Sequence, residues 1–85
     1  MSSEPAPKNA LGPVIKKIRV SRGWTLEQVA KRLRSSGWKC SAARLDRIER
    51  QKVAIKDFEV YYLCAALETS QDDLWRRLKR PKINQ

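Results

Sequence analysis

Apolar residues recur at three- and four-residue spacing in runs of about ten, and each run opens on a capping residue or a first-turn proline, with Gly23, Gly37 and Pro81 as breakers between or after them. No other feature limits the fold as much. A 3.6-residue period suits amphipathic helices and does not suit half-buried strands, which alternate. No alternating stretch of any length is present, nor an internal repeat, nor an apolar run long enough to cross a bilayer. Several short helices in 85 residues can bury their apolar stripes only by crossing one another around one small core. The expectation is an all-α, compact bundle of about five short helices.

Residues 1–9 are polar and carry Pro5 and Pro7, so they are predicted to be a disordered tail. They contain no apolar segment behind a basic flank, so no signal peptide is expected and a cytoplasmic location follows. Residues 10–80 form the predicted domain, and 81–85 a C-terminal tail. Pro13 suits a first helical turn; Val14, Ile15 and Ile18 make its apolar side, and Gly23 ends it. Thr25 and Gln28 have capping-box spacing and open a second helix to about Ser35. Ser41 caps a third, running to about Arg50, and Asp57 opens an apolar fourth predicted to be central to the core. Ser70 with Asp73 gives a second capping box, opening a short fifth helix stopped by Pro81.

Charge narrows the function. Nineteen Lys and Arg stand against nine Asp and Glu, a net charge of +10. Such a surface concentrates polyanions, of which nucleic acid is the commonest; an anionic membrane surface is the weaker alternative. The chain has no histidine, and Cys40 and Cys64 form no C-x-x-C pair, so neither a metal nor a cofactor is expected. Without a nucleophile motif or a glycine-rich phosphate loop, an enzyme is not expected either. Cys64, in "YYLCAAL", reads as a small buried residue, and Cys40 lies at a turn-to-helix boundary. Both are expected to be reduced thiols.

The third helix, "CSAARLDRIERQ" with its flanks, raises the functional question. At 100° per residue, Ser41, Leu45 and Ile48 share one side, and Ala43, Asp46, Arg47 and Arg50 share the other. Two short capped helices, a glycine-containing turn and an outward cationic face are the sequence form of a helix-turn-helix. A helix fits the major groove and reads it from its N-terminal end, where arginine can bond guanine bidentately and an alanine methyl can meet a thymine methyl. The helix starts at Thr25 and Ser41 offer N–H groups and a positive dipole end to phosphates.

"RGWTLEQVAKRL", "ARLDRIERQ" and "DFEVYYLCAALETSQDDLW" together resemble the Cro/repressor-type helix-turn-helix (XRE) family, over roughly residues 12–78. The resemblance implies a lambda-repressor-like DNA-binding domain. It places Ala42, Ala43 and Arg47 at base-contacting positions and Arg44 and Lys52 at the DNA backbone. It also implies a structural ion pair between Arg19 and Glu49. With the helix starts and the basic positions of helix two and the turn, the backbone set is Thr25, Lys31, Arg32, Lys39, Ser41, Arg44, Arg50 and Lys52. Three positions depart from the family pattern. Leu26 stands where a phosphate-contacting Gln is frequent, Gln51 where a Gly is frequent, and the link through "RSSGWKCSAAR" is longer than the usual tight turn.

Trp24 and Trp75 fall in apolar patterns and are expected in the core, while Trp38 either covers the long turn or is exposed. Lys31, Arg32 and Arg34 suit either phosphate contact or a solvated face. "WRRLKRPK" suits a phosphate stripe, a dimer element or a soluble tail. The leading expectation is a sequence-specific, double-stranded DNA-binding transcriptional repressor, nucleoid-associated, with helix five and Trp75 as a candidate homodimer surface. The alternative is a protein-interaction module, an antitoxin or scaffold, whose DNA binding is weak and indifferent to sequence because Ala42 and Ala43 read little.

Overall fold

The computed structural model describes residues 6–78, and over them five helices follow in the predicted order. They are α1 (Gly12–Ser21), α2 (Leu26–Ser36), α3 (Ala42–Glu49), α4 (Asp57–Leu67) and α5 (Gln71–Leu78). No strand occurs among the described residues. The predicted C-terminal tail, Pro81 and residues 1–5 of the predicted N-terminal tail lie outside them.

The helix starts are built largely as their sequences dictate. The Thr25 hydroxyl accepts the Gln28 N–H at 3.1 Å while the Gln28 amide oxygen accepts the Thr25 N–H at 2.8 Å. Ser41 caps α3 by accepting the Arg44 N–H at 3.1 Å. Ser70 accepts the Asp73 N–H at 3.0 Å, but the reciprocal half of that capping box is replaced. The Asp73 carboxylate accepts from Arg77 and from the Thr69 hydroxyl instead, both at 2.9 Å. Those two hydrogen bonds hold its carboxyl below the usual range.

The helix ends share one device. After each of α1 to α4 one residue turns left-handed: Gly23 (φ 74°), Gly37 (φ 117°), Gln51 (φ 63°) and Glu68 (φ 58°). The next N–H then reaches back five residues, Trp24 to Arg19, Trp38 to Leu33, Lys52 to Arg47 and Thr69 to Cys64, at 2.9–3.2 Å. These are Schellman closures, which satisfy carbonyls that the helix end would otherwise leave unpaired. Two of them use no glycine, so Gln51 adopts the same backbone that the frequent family glycine would adopt, at a local cost of about 1–2 kcal/mol.

Ile15 and Ile18 of α1, Val29 and Leu33 of α2, Leu45 and Ile48 of α3, Leu63 and Leu67 of α4, and Leu74 of α5 meet in one core. Helix α4 lies against α1, α2 and α5, the central place predicted for it. Trp24 packs partly buried on the core, but Trp75 does not enter it and remains 48% exposed. The buried stripe of α5 runs through Leu74, and the next residue lies 100° round the helix from it. The last residues of the predicted tail touch the domain. Lys8 and Asn9 are not free of the domain, since the Lys8 N–H bonds the Gln51 carbonyl at 3.0 Å and Asn9 is bonded to four residues.

Cys40, only 1% exposed, and Cys64 are separate buried thiols. Burial pushes both thiols up, and for Cys40 it outweighs the opposing pull of Arg44. A raised thiol carries less reactive thiolate at neutral pH. A thiol reagent is therefore expected to label the native chain at least about a hundredfold more slowly than the denatured chain, since labelling has to wait for opening. Equal rates in a stopped assay of the two states would place these cysteines at the surface.

Candidate nucleic-acid interface

Helix α2, the turn from Gly37 to Ser41 and α3 form one surface. The turn is longer than the common tight form but is not loose. Its Cys40 N–H bonds the Trp38 carbonyl at 2.9 Å, and the Cys40 side chain is sealed in the core. The Trp38 indole lies against Phe58 and Tyr62, with ring centroids 6.2 Å from each. Trp38 thus covers the turn, partly buried, and the extra chain length is taken up by an aromatic contact with α4.

Helix α3 is held from three sides. Leu45 and Ile48 are buried in the core. Glu49, whose side chain is 3% exposed, receives a two-pronged bond from Arg19, Nε to Oε2 at 2.7 Å and Nη2 to Oε1 at 3.1 Å. The third prong of that guanidinium donates to the Trp24 carbonyl at 2.9 Å. On the α4 side, Arg44 reaches the buried Glu59 carboxylate at 3.2 Å, and the other Glu59 oxygen accepts the Lys56 N–H at 2.9 Å. A carboxylate at the start of α4 also matches the positive end of that helix.

What remains outward on α3 and its C-cap is Ala43, Arg47 and Arg50, all exposed, at spacings of four and three residues. These three share one face. Arg50 pairs with Asp46 at 3.1 Å on the surface, a contact worth little in water. Arg47 has no ion pair among the described residues. Ala42 is half-buried, and its N–H and that of Ala43 belong to the first turn, where a helix leaves them unpaired. Lys31, Lys39 and Lys52 are exposed, as are Thr25 and Ser41.

Arg32, named in the backbone set, is engaged within the fold. Its guanidinium donates to the Ala66 carbonyl and to the Glu68 carboxylate, both at 2.7 Å, and lies 4.2 Å from the centre of the Trp24 ring. Arg22 approaches the same ring from 6.0 Å and donates to the carbonyls of Leu67 and Glu68. Two cations therefore close the negative end of α4 and fasten the α1–α2 corner to it. The alternation of charges along α2 carries no mark of this, because the acceptors lie more than thirty residues away. Glu59 and Asn9 were missed for the same reason. A Glu three residues into a helix signals a cap but not its partner on α3.

No helix among the described residues is long and apolar enough to cross a membrane. A family described as a helix-turn-helix domain matches residues 10–78. Among solved structures, the chain is similar to a crystal structure of the clp gene regulator ClgR from C. glutamicum. The two share 26% identity and a TM-score of 0.77, over 96% of this chain and 100% of that one. No curated protein gives a significant match.

Proposed function

The chain belongs to the helix-turn-helix domain family, and on that premise we propose that it is a sequence-specific regulator of transcription that reads double-stranded DNA with α3 and represses by occupying its site. The observation that carries this reading is the contrast between the two sides of α3. One side is tied to three neighbours, and the other presents Ala43, Arg47 and Arg50 with no apolar side chain larger than a methyl. A helix held this rigidly can deliver its outward side chains to base edges without an ordering cost for its backbone at the moment of binding. The likeness to a gene regulator supports the same reading.

In this mode Ala42 and Ala43 let the start of α3 approach the bases, and Arg47 supplies the directional hydrogen bonds. Thr25, Lys31, Lys39, Ser41, Arg44, Arg50 and Lys52 meet the phosphates on either side of the groove. Arg44 does so while still holding Glu59, which fixes its guanidinium. A second copy joined through α5, where Trp75 is exposed, would present two recognition helices to a palindromic site. The protein then resides with the nucleoid in the cytoplasm.

Selection from random duplex DNA tests the reading. A recovered motif bound at least about a thousandfold more tightly than a scrambled duplex supports it, and two-fold symmetry in the motif supports the dimer. Arg47→Ala is expected to lose about 1–3 kcal/mol of discrimination at one base pair. Neutralising Lys31 or Lys52 is expected to weaken all sequences alike and to lower the salt slope. Salt-dependent binding without a recovered motif would favour the protein-interaction module instead, and an unchanged preference in Arg47→Ala would remove α3 from the groove.

A further inference from the structure

Asn9 makes more bonds than a helix start requires. Its Oδ1 accepts the Gly12 N–H at 2.7 Å, which serves the first turn of α1. Its amide then donates both hydrogens across the fold, to the Ile48 carbonyl at 3.1 Å and the Val53 carbonyl at 2.8 Å. The Gln51 side chain donates back to the Asn9 carbonyl at 2.9 Å, and the Lys8 N–H bonds the Gln51 carbonyl at 3.0 Å. Residues 8–9 are thus laced to the left-handed turn that follows α3. A serine or an aspartate would offer the Gly12 N–H an acceptor equally well. Only a side chain with two donors and an acceptor closes the rest of this set.

The lacing has a consequence for charge. Gln51 lies between Arg50 and Lys52, so the backbone pairing sets Lys8 beside the same turn. Lys8 and Lys52 are both exposed and have no carboxylate partner among the described residues, and Asp46, on the last turns of α3, is taken by Arg50. Two cations on long flexible stems, one from each side of the Lys8–Gln51 backbone bond, suit a phosphodiester, which a point charge binds without reading sequence. We infer that Lys8 is a further phosphate-contacting residue of the DNA surface, and that Asn9 is the positioning residue that places it there. The inference rests on α3 being the helix that meets DNA.

The test uses the full chain and the duplex recovered by selection, titrated over a salt series. Lys8→Ala is expected to weaken binding to all sequences alike, to lower the slope of log affinity against log salt by about 0.9, and to leave the melting temperature unchanged. Asn9→Ser keeps an acceptor for the Gly12 N–H and removes both cross-fold donors without adding charge. It is expected to lose the same slope, and Lys8→Ala added to it is expected to have no further effect. An unchanged affinity and slope in Lys8→Ala overturns the phosphate contact, and that variant decides the point even if Asn9→Ser folds poorly. An equal Lys8→Ala effect in both backgrounds overturns the role of Asn9. If the unaltered chain shows no salt-dependent duplex binding, the DNA reading itself fails, an outcome distinct from either.

Discussion

Gly12→Ala is expected to lose about 3 kcal/mol of stability or more, the upper range for overpacking a rigid contact. A Cβ at this position would lie 2.4 Å from the Ile48 carbonyl oxygen and 2.7 Å from that of Glu49. Both are main-chain atoms of the last turn of α3, so no side chain can swing aside. The two helices would have to separate, and the bonds of Asn9 and Arg19 to α3 would be stretched with them. On helix propensity alone the same change is favourable by about 1 kcal/mol, so the expected sign is opposite to the local one. In a domain of this size such a loss lowers the melting temperature by roughly 15 °C. Gly23→Ala is the control. It meets nothing within 4 Å and carries only the strain of its φ of 74°, about 1 kcal/mol. Thermal and urea melts of the two variants decide the matter; equal stabilities would mean that α1 and α3 do not approach this closely.

Arg19→Ala is expected to be at least as damaging, at about 3–5 kcal/mol, because it strands the Glu49 carboxylate in the interior. It also takes the donor from the Trp24 carbonyl. The cost comes mostly from the charge left behind, so replacing both partners with methionine is expected to restore most of the loss. The Asp46–Arg50 pair offers the contrast. With the Arg50 side chain 67% exposed, Arg50→Ala is expected to change stability by no more than about 0.5 kcal/mol. Denaturant melts of the single and double variants measure all of these. A double variant as unstable as Arg19→Ala would show that the pair's geometry, not the uncompensated charge, holds α3 in place. Since Glu49 lies on α3, the helix proposed to enter the groove, Arg19→Ala is on that proposal also expected to weaken DNA binding at temperatures where the chain is still folded.

The helices and their order were legible because their causes are local. Thr25 with Gln28, Ser41 and Ser70 announce helix starts, and Gly23 and Gly37 announce ends, through bonds within a few residues. The apolar spacing likewise marked Leu45 and Ile48 as inward and Arg47 as outward, since a helix wheel follows from 3.6 residues per turn. The Arg19–Glu49 pairing came from resemblance to a family, not from spacing. Gln51 and Glu68 hide their left-handed turns because neither residue type signals that backbone.

The rest was decided by distance in sequence. Arg32 reads as one more basic residue on α2 until α4 brings the Ala66 carbonyl and Glu68 to it, and then it also becomes a strut. Trp75 reads as core until the position of Leu74 fixes which way α5 turns. Asn9 reads as tail until α3 closes over α1. In each case a side chain's role depends on which buried donor or acceptor must be satisfied, and those partners lie 34 to 44 residues away for Arg32 and Asn9. The sequence by itself determined where the helices are and which faces seek the core. Only the tertiary structure decided which charges, like those of Arg19 and Arg32, are consumed in holding the fold together, because that depends on contacts no local pattern encodes.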